Sequence, residues 1–285
     1  MTDQANAAMA EFWNGSGGKN WVSREARLEA SLNVFGQQAI EAGNIRPGQR
    51  ILDIGFGCGD SAIDLAHKVG PQGQVHGVDI SVAMVEAADK KAEACGLGNI
   101  TFECTDAQTN AFAANSYDLV FSRFGVMFFD DPVGAFKNIY SALKPGGRLA
   151  FICWAGRHEN DWVTLPLQVV AKHLDLPAPP GAHAPGPFSL SEEGRANEIL
   201  SAAGFTNIVV EPFQTPFILG EDIDEALSFL MQLTPSGSAI NNAEADEPTR
   251  ASIAVDMAKM LESHQSNSGV SMGAKALLVT AHKEI

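Results

Sequence analysis

The sequence predicts an α/β protein with a doubly wound, mostly parallel sheet. The main observation is that short apolar runs alternate with helical patterns along the first half of the chain. Strands separated by helices imply right-handed crossovers and parallel pairing. The length of 285 residues and a hydrophobic share of 45% also allow one large domain, or a domain with an appendage, around a sizeable core.

The elements follow in a regular order. A first helix is predicted over 24–43 from five apolar positions spaced by three and four, and Pro47-Gly48 lies in the break that follows it. The elements after it are predicted as strand 50–54, helix 60–68, strand 74–78, helix 81–95, strand 100–104, strand 117–122, helix 132–143 and strand 148–153.

The rhythm changes after the strand 148–153. A helix over 162–176 leads into a proline-rich stretch to residue 190, which includes Pro179 and Pro180 and is interpreted as a lid or linker. A helix 191–203, capped by Ser191, precedes a strand 207–213. The remaining elements are predicted as helices 222–233 and 247–263, joined by a polar loop over 236–247, and a final strand 274–281.

Charge and composition exclude several classes of partner. Lys and Arg number 19 against 34 Asp and Glu, a net charge of −15, and Lys90-Lys91 is the one adjacent Lys/Arg pair, so nucleic acid is not expected. No apolar run reaches 18 residues and no secretory signal pattern is visible, so a cytoplasmic protein without a membrane span is expected. Four cysteines without a CxxC pair are interpreted as reduced structural thiols, and no metal site is expected.

The most informative segment is ILDIGFGCGD, residues 51–60, in which a strand ending at Asp53 runs into Gly55, Gly57 and Gly59. Alternate glycines let the backbone turn sharply and let a ligand approach it. An ordinary tight turn is the alternative. A dinucleotide fingerprint needs glycine where this chain has Asp60, whose carboxylate would repel a pyrophosphate, and the phosphate cradle GxxxxGK[ST] is absent.

This D-x-G-x-G-x-G pattern resembles motif I of the class I S-adenosylmethionine-dependent methyltransferases. Further matches follow in order: Asp79 in VHGVDIS, Asp106 in FECTDAQ, then YDLVFSRFGVMFFDDP and ALKPGGRLAFICW. The resemblance is continuous from Gly48 to Trp154. It implies a seven-stranded sheet of order 3-2-1-4-5-7-6, S-adenosylmethionine as cofactor and S-adenosylhomocysteine as product.

The resemblance also implies roles for individual residues. Asp79 would accept the ribose hydroxyls and Asp106 would contact the adenine amine, although each acid alone is equally compatible with a helix cap or a turn. Because strand ends of a parallel sheet converge on one crevice, we expect these residues to share a site. The expected cofactor-binding residues are Trp21, Gly55, Phe56, Gly57, Asp60, Asp79, Ile80, Met84, Asp106, Ala107, Gln108, Ser122 and Arg123.

Catalysis requires little from the chain, because the methyl group of a sulfonium is already activated and a positioned acceptor suffices. Where a base is used, His158, in the loop after the fifth strand, is the candidate catalytic residue, with a solvated loop histidine as the alternative. His173 and His183 have weaker claims. Arg123 meets either an anionic substrate or one of Asp130 and Asp131.

Two aromatic groups have two interpretations each. Trp13 and Trp21 flank a flexible glycine stretch, and either cover the methionyl end of the cofactor, as in similar methyltransferases, or pack an N-terminal helix on the sheet. The run Met127-Phe128-Phe129 is either core or part of a substrate pocket.

The sequence thus divides into a helical cap 1–48, a cofactor-binding core 49–154, a lid insertion 155–190, a core helix and strand 191–220, a helical insertion 221–268 on the acceptor side, and a final core strand 269–285. The insertions predict a small-molecule acceptor with an apolar portion from Trp162, Leu165, Leu167, Phe229, Leu230, Met231 and Leu233. A quinone or isoprenoid-type C-methyltransferase, a dinucleotide-dependent dehydrogenase and a non-catalytic cofactor binder remain as alternatives. Oligomeric state is left open.

Overall fold

The computed structural model describes residues 6–178, 181 and 183–285. The predicted lid prolines Pro179 and Pro180, and the first five residues of the predicted cap, lie outside the described residues. The chain divides into two compact units. The first comprises Met1–Trp154, Ala182–Pro212 and Ala276–Ile285, and the second comprises Ala155–Gly181 and Phe213–Lys275.

A sheet ordered β3-β2-β1-β4-β5-β8-β6 organises the fold, with the two-residue β7 paired to β8. The strands are β1 Arg50–Ile54, β2 Gln74–Asp79, β3 Ile100–Cys104, β4 Tyr117–Arg123, β5 Leu143–Trp154, β6 Thr206–Gly220, β7 Gln265–Ser266 and β8 Gly269–His282. The first five strands of this order are parallel, and β8 runs antiparallel to β5. With the short β7 set aside, the predicted fold class and the order 3-2-1-4-5-7-6 are confirmed.

The helices cover the sheet and build most of the second unit. They are α1 Ala7–Asn14, α2 Ser16–Ser23, α3 Glu25–Ala42, α4 Asp60–Val69, α5 Val82–Ala94, α6 Pro132–Ala142, α7 Asp161–Val170, α8 Glu193–Ala203, α9 Ile223–Gln232, α10 Pro235–Asn242 and α11 Glu247–Leu261. No helix among the described residues is long and apolar enough to cross a membrane.

The central strands are buried because helices flank the sheet. β1 is buried from Ile51 to Ile54, and only its first residue, Arg50, is exposed. Parallel register pairs Ile54 with Val78 and Asp79 with Cys104, so the chain leaves β1, β2 and β3 at the same edge. That carboxyl edge is where doubly wound folds bind ligands.

The N-terminal glycine stretch is helical rather than flexible, which corrects the prediction. Gly18 is buried inside α2, and a Cβ at this position would lie 2.0 Å from the Trp13 carbonyl oxygen. Close packing of α2 on the end of α1 therefore requires glycine here. The absence of a side chain at Gly18, from which a flexible stretch was predicted, instead allows the close contact with the Trp13 carbonyl.

Further elements differ from the prediction, and among them β6 runs on to Gly220 and β8 begins at Gly269. The predicted loop 236–247 contains α10, which has proline in its first turn. The buried Thr234 and Ser236 hydroxyls at the start of this helix both donate to the Leu230 carbonyl at 2.8 Å. Helix α7 ends at Val170 rather than at 176. The N-cap of α8 is Glu192 rather than Ser191, without a side-chain hydrogen bond.

The second unit has its own apolar core. The Trp162 ring stacks on Phe217 with centroids 4.6 Å apart, and Phe217 lies 6.1 Å from Phe229. These three side chains and Leu230 are at most 7% exposed. Four of the residues taken as signs of an apolar acceptor stay only half-buried, namely Leu165, Leu167, Met231 and Leu233.

Candidate functional site

The glycine loop after β1 holds three residues in the left-handed region, with φ of +67° at Gly55, +61° at Gly57 and +92° at Gly59. A Cβ at Gly55 would lie 2.7 Å from the Cα of Gly125, so glycine lets the loops after β1 and β4 touch. A Cβ at Gly57 would meet only the Trp21 Nε1, at 3.7 Å. The backbone is therefore open on the side of Gly57, as ligand approach requires.

Asp79, at the end of β2, is tied to this loop. Its Oδ2 accepts the Gly57 N–H at 2.9 Å, and its Oδ1 accepts the Ser81 N–H at 2.9 Å. The side chain is 8% exposed. Burial raises the pKa of Asp79 to about 6, and the backbone hydrogen bonds oppose that rise. The carboxylate thus joins the ends of β1 and β2 in one place.

Asp53 is a site residue that the sequence analysis treated only as a strand end. It is fully buried, and its Oδ2 accepts the Ser61 hydroxyl at 3.0 Å, while its Oδ1 has no hydrogen-bond partner among the described atoms. Burial raises its pKa to about 7, opposed by Ser61 and Arg123 and reinforced by the charge of Asp79. Its place as the first acid of D-x-G-x-G-x-G is the signal that identifies it.

Arg123, at the end of β4, pairs with Glu29 of α3. Two hydrogen bonds of 2.9 and 2.8 Å join its guanidinium to the carboxylate, and its side chain is 11% exposed. Burial lowers its pKa, but the bonds and charge of Glu29 outweigh this and raise it. The predicted alternatives Asp130 and Asp131 are wrong as partners, because α3 brings a carboxylate closer.

Asp60, at the start of α4, is also engaged within the protein. Its Oδ1 accepts from Lys91 Nζ at 2.7 Å, and Lys91 pairs with Glu25 as well. Burial raises the pKa of Asp60 to about 6, with a further contribution from the charge of Glu29. The predicted site residues Asp60 and Arg123 therefore lie beside the glycine loop in a network of internal ion pairs.

Asp106, after β3, closes the third strand end. Its Oδ1 accepts the Gln108 N–H at 2.9 Å and the Asn6 amide at 3.2 Å. The Asn6 and Gln108 side-chain oxygens in turn accept the backbone N–H groups of Asp130 and Asp131, at 3.1 and 3.0 Å. The N-terminal segment, the β3 end and the loop after β4 are thereby joined around this carboxylate, next to the buried Ala107.

Several predicted cofactor-binding residues have contacts within the protein. The Phe56 ring lies 4.5 Å from Phe102, Met84 is 4% exposed, and the Ser122 hydroxyl donates to the Ile54 carbonyl at 2.8 Å. Ile80 gives its carbonyl to the Asn14 amide at 2.9 Å.

The N-terminal helices dock on the start of α5. Asn14 bridges the Ile80 carbonyl and the Val82 N–H, and Ser81 Oγ donates to the Trp13 carbonyl at 2.8 Å. The Trp13 ring lies edge-on to Trp21 at 5.8 Å and to Phe128 at 5.3 Å. Both tryptophans thus lie near the glycine loop, in a helical hairpin packed on the first unit.

The apolar run after β4 and the three candidate histidines complete the predicted residues. Met127 and Phe129 are buried as core. His158 is exposed in the 3-10 turn Arg157–Glu159, and His173 pairs with Asp256 at 2.8 Å, both within the second unit. His183 is exposed.

The chemistry of the assembled site is acidic and sheltered. Asp79 binds the open glycine loop, Asp53 and Asp106 stand at the same edge of the sheet, and one buried carboxylate oxygen, Asp53 Oδ1, lacks a donor among the described atoms. Such a site fits a ligand that is cationic and rich in hydrogen-bond donors, and it fits S-adenosylmethionine, which carries ribose hydroxyls, amines and a sulfonium. Among the residues described, no cluster of three His, Cys, Asp or Glu side chains is suited to a metal ion.

Known proteins match this region. Residues 51–147 match a family model described as a methyltransferase domain. Aklanonic acid methyltransferase DauC of Streptomyces sp. (strain C5) is 43% identical over 117 residues, covering 41% of this chain and 53% of that protein. The demethylmenaquinone methyltransferase of Geobacillus kaustophilus is 38% identical over 104 residues, covering 36% of this chain and 44% of its own length. The chain thus spans about half the length of these curated relatives.

Solved structures share the fold. Phosphoethanolamine N-methyltransferase 2 of Haemonchus contortus, in complex with S-adenosyl-L-methionine, aligns with a TM-score of 0.55 at 22% identity. The alignment covers 88% of this chain and 52% of that one. At this identity the likeness concerns the fold.

Proposed function

Since residues 51–147 belong to the class I S-adenosylmethionine-dependent methyltransferases, we propose that the chain transfers a methyl group from this cofactor to a small-molecule acceptor with an apolar portion. The predicted family and cofactor are confirmed by the match to the methyltransferase family model and by the named methyltransferase relatives. The observation that carries the activity is the convergence of the open glycine loop, Asp79 and Asp106 at one sheet edge.

Each of these groups has a role in the proposal. Asp79 receives the ribose hydroxyls and Asp106 the adenine amine, while the loop at Gly57 allows close approach of the cofactor to the backbone. The buried Asp53 Oδ1 has no donor among the described atoms, and in the proposal it accepts a hydrogen bond from the amino group of the cofactor. Glu29 and Arg123 hold the loops behind the site in place.

The chain's contribution to the reaction is positioning. S-adenosylmethionine supplies a methyl group already activated by the sulfonium. The chain binds this group among buried acids, covers it with the hairpin that carries Trp13 and Trp21, and excludes water from it.

The acceptor is proposed from two observations. The relatives named above include methyltransferases of aklanonic acid and of demethylmenaquinone. The half-buried Leu165, Leu167, Met231 and Leu233 keep apolar surface available in the second unit. Both favour an acceptor with an apolar body, and the second relative favours the quinone-type alternative for such an acceptor.

The test is methyl transfer with labelled cofactor. We expect the full chain to bind S-adenosylmethionine and to label an acceptor from a panel that includes aklanonic acid and demethylmenaquinone. The position of the label, on oxygen, nitrogen or carbon, separates the alternatives. Cofactor binding without transfer to any apolar acceptor would favour the non-catalytic binder, and NADH binding without S-adenosylmethionine binding would favour the dehydrogenase.

His158 is proposed as the base if one is used. Its replacement in His158→Ala should then lower kcat by about 10²-fold with little change in cofactor affinity. The matched control is His67→Ala, which removes another exposed histidine. Equal turnover in the wild type and His158→Ala would mean that catalysis relies on positioning alone or uses another base.

A further inference from the structure

A polar cavity lies in the first unit, at the opposite edge of the sheet from the glycine loop. Its volume is about 330 Å³, and its walls include Arg50 and Gln74. These are the first residues of β1 and β2, whereas the glycine loop and Asp79 stand at the other ends of those strands. The volume lies at the lower end of the range for small-molecule sites.

The lining of this cavity is cationic and rich in amides. Arg50 and Lys144 bring positive charge, and Gln72 and Gln74 bring side-chain amides. The Asn99 amide nitrogen already donates to the Ala66 and Gly70 carbonyls, both at 2.9 Å, so this side chain offers its oxygen. The other lining residues are Gly48, Pro71, Gly73 and Gly98. An apolar ligand would find few partners here, while an anion with polar substituents would find several.

The positive charge is only partly compensated. Asp118 accepts Lys144 Nζ at 2.7 Å with one oxygen and the Arg50 backbone N–H at 2.8 Å with the other. The Arg50 guanidinium instead lies over the Tyr117 ring, 5.6 Å from its centroid, and forms no ion pair with an acid in the described part of the chain. One carboxylate thus faces two cations, and it binds the side chain of only one of them.

Two more arginines raise the local potential. Burial lowers the pKa of Arg148, and the charge of Arg46 lowers it further, against a smaller opposing effect of Asp118. Arg148 also donates to the Asn44 carbonyl at 3.0 Å, which fixes it at this edge. The amino edge thus carries a cluster of positive side chains in a chain whose net charge is −15.

We propose that this amino-edge cavity binds a small phosphorylated metabolite, with its phosphate on Arg50 and Lys144. A guanidinium presents paired donors that match phosphate oxygens, and an ammonium adds a point charge. The space beyond a bare phosphate, lined by Gln72, Gln74 and Asn99, takes a hydroxyl-bearing body such as a sugar. This site does not depend on the proposed methyl transfer, since it shares no residue with the carboxyl edge.

The test is calorimetric titration of the full chain with glucose 6-phosphate, inorganic phosphate and glucose at fixed ionic strength. We expect both phosphates to bind, the ester more tightly, and glucose not to bind. The double variant Arg50→Gln/Lys144→Gln should weaken the ester at least about tenfold. Lys90→Gln, which removes an exposed charge elsewhere, should leave the affinity for the ester unchanged. Arg50→Lys, which keeps the positive charge, should retain most of the wild-type affinity.

Other results would overturn the proposal. They are no saturation by either phosphate up to about 10 mM, equal affinity in the double variant, or equal binding of glucose. Duplex DNA that binds more tightly than the ester would assign the surface to a polymer instead. S-adenosylmethionine affinity reports whether the double variant is folded. If the double variant is unfolded, the single variant Arg50→Gln, which changes an exposed residue, is titrated with the ester in its place.

Discussion

The two edges of the central sheet are built from opposite charges in opposite surroundings. At the carboxyl edge, Asp53 and Asp79 are at most 8% exposed, and burial raises the pKa of each. At the amino edge, Lys144 is 41% exposed and shares Asp118 with Arg50. The same strands therefore end in a sheltered acidic site and begin at an open basic one.

Single substitutions should have different consequences at the two edges. A charge that is buried depends on its partners for its stability, whereas an exposed charge is solvated without them. We therefore expect large effects on stability from the carboxyl edge and effects mainly on ligand binding from the amino edge.

The largest expected effect comes from the buried ion pair. Glu29→Ala leaves the Arg123 guanidinium buried without its carboxylate, and should lower the free energy of unfolding by about 3 kcal/mol. Lys144→Ala, which breaks the solvated pair with Asp118, should cost less than about 1 kcal/mol. Urea unfolding measures both, and equal losses would remove the contrast between the edges.

A second contrast uses two glycines with positive φ. Gly55→Ala places a Cβ 2.7 Å from Gly125 Cα and should cost about 3 kcal/mol, from the left-handed backbone and the clash together. Gly48→Ala, at φ +82° with nothing within 4 Å, should cost only about 1–2 kcal/mol, from the backbone alone. If thermal unfolding gives the same loss for both, the close approach of the two loops is not required.

The third prediction concerns pH. The pKa of Asp53 is about 7 in the folded chain, above the ordinary 3.8. Between these two pH values the folded state therefore keeps a proton on Asp53 that the unfolded state has released. The stabilisation is full below pH 3.8 and is lost as pH rises through 7. Between pH 5 and 8 we expect unfolding free energy to fall by roughly 1–3 kcal/mol from this group.

The matched variant is Asp53→Asn, which keeps the shape and has no titration. Its unfolding free energy should change less with pH over the same range than that of the wild type. An unchanged slope in Asp53→Asn would mean that Asp53 stays ionised in the folded protein.

The sequence predicted what depends on local patterns. The five parallel strands, the glycine loop and the acids Asp79 and Asp106 follow from periodicity and motif. Side-chain pairing across long separations did not follow, as with Glu29 and Arg123, which stand 94 residues apart. The basic amino edge was not predicted for the same reason, since Arg50 and Lys144 are distant in the chain. The net charge of −15 also gives no indication of a local cluster of basic residues.

Glycine shows a second limit. Gly17-Gly18 read as a flexible stretch because glycine lacks a side chain, yet Gly18 is packed on the Trp13 carbonyl within α2. The sequence shows that a glycine has wide conformational freedom and a small size. Only the residues packed around it in the fold show which of these two properties is used.

The most direct test of the account is calorimetric titration with S-adenosylmethionine of the wild type, Asp79→Ala and Asp118→Ala. The two variants remove one carboxylate from the carboxyl edge and one from the amino edge. We expect Asp79→Ala to lose about 1.5–3 kcal/mol of binding and Asp118→Ala to bind as the wild type does. Equal affinity in all three proteins would contradict the placement of the cofactor site.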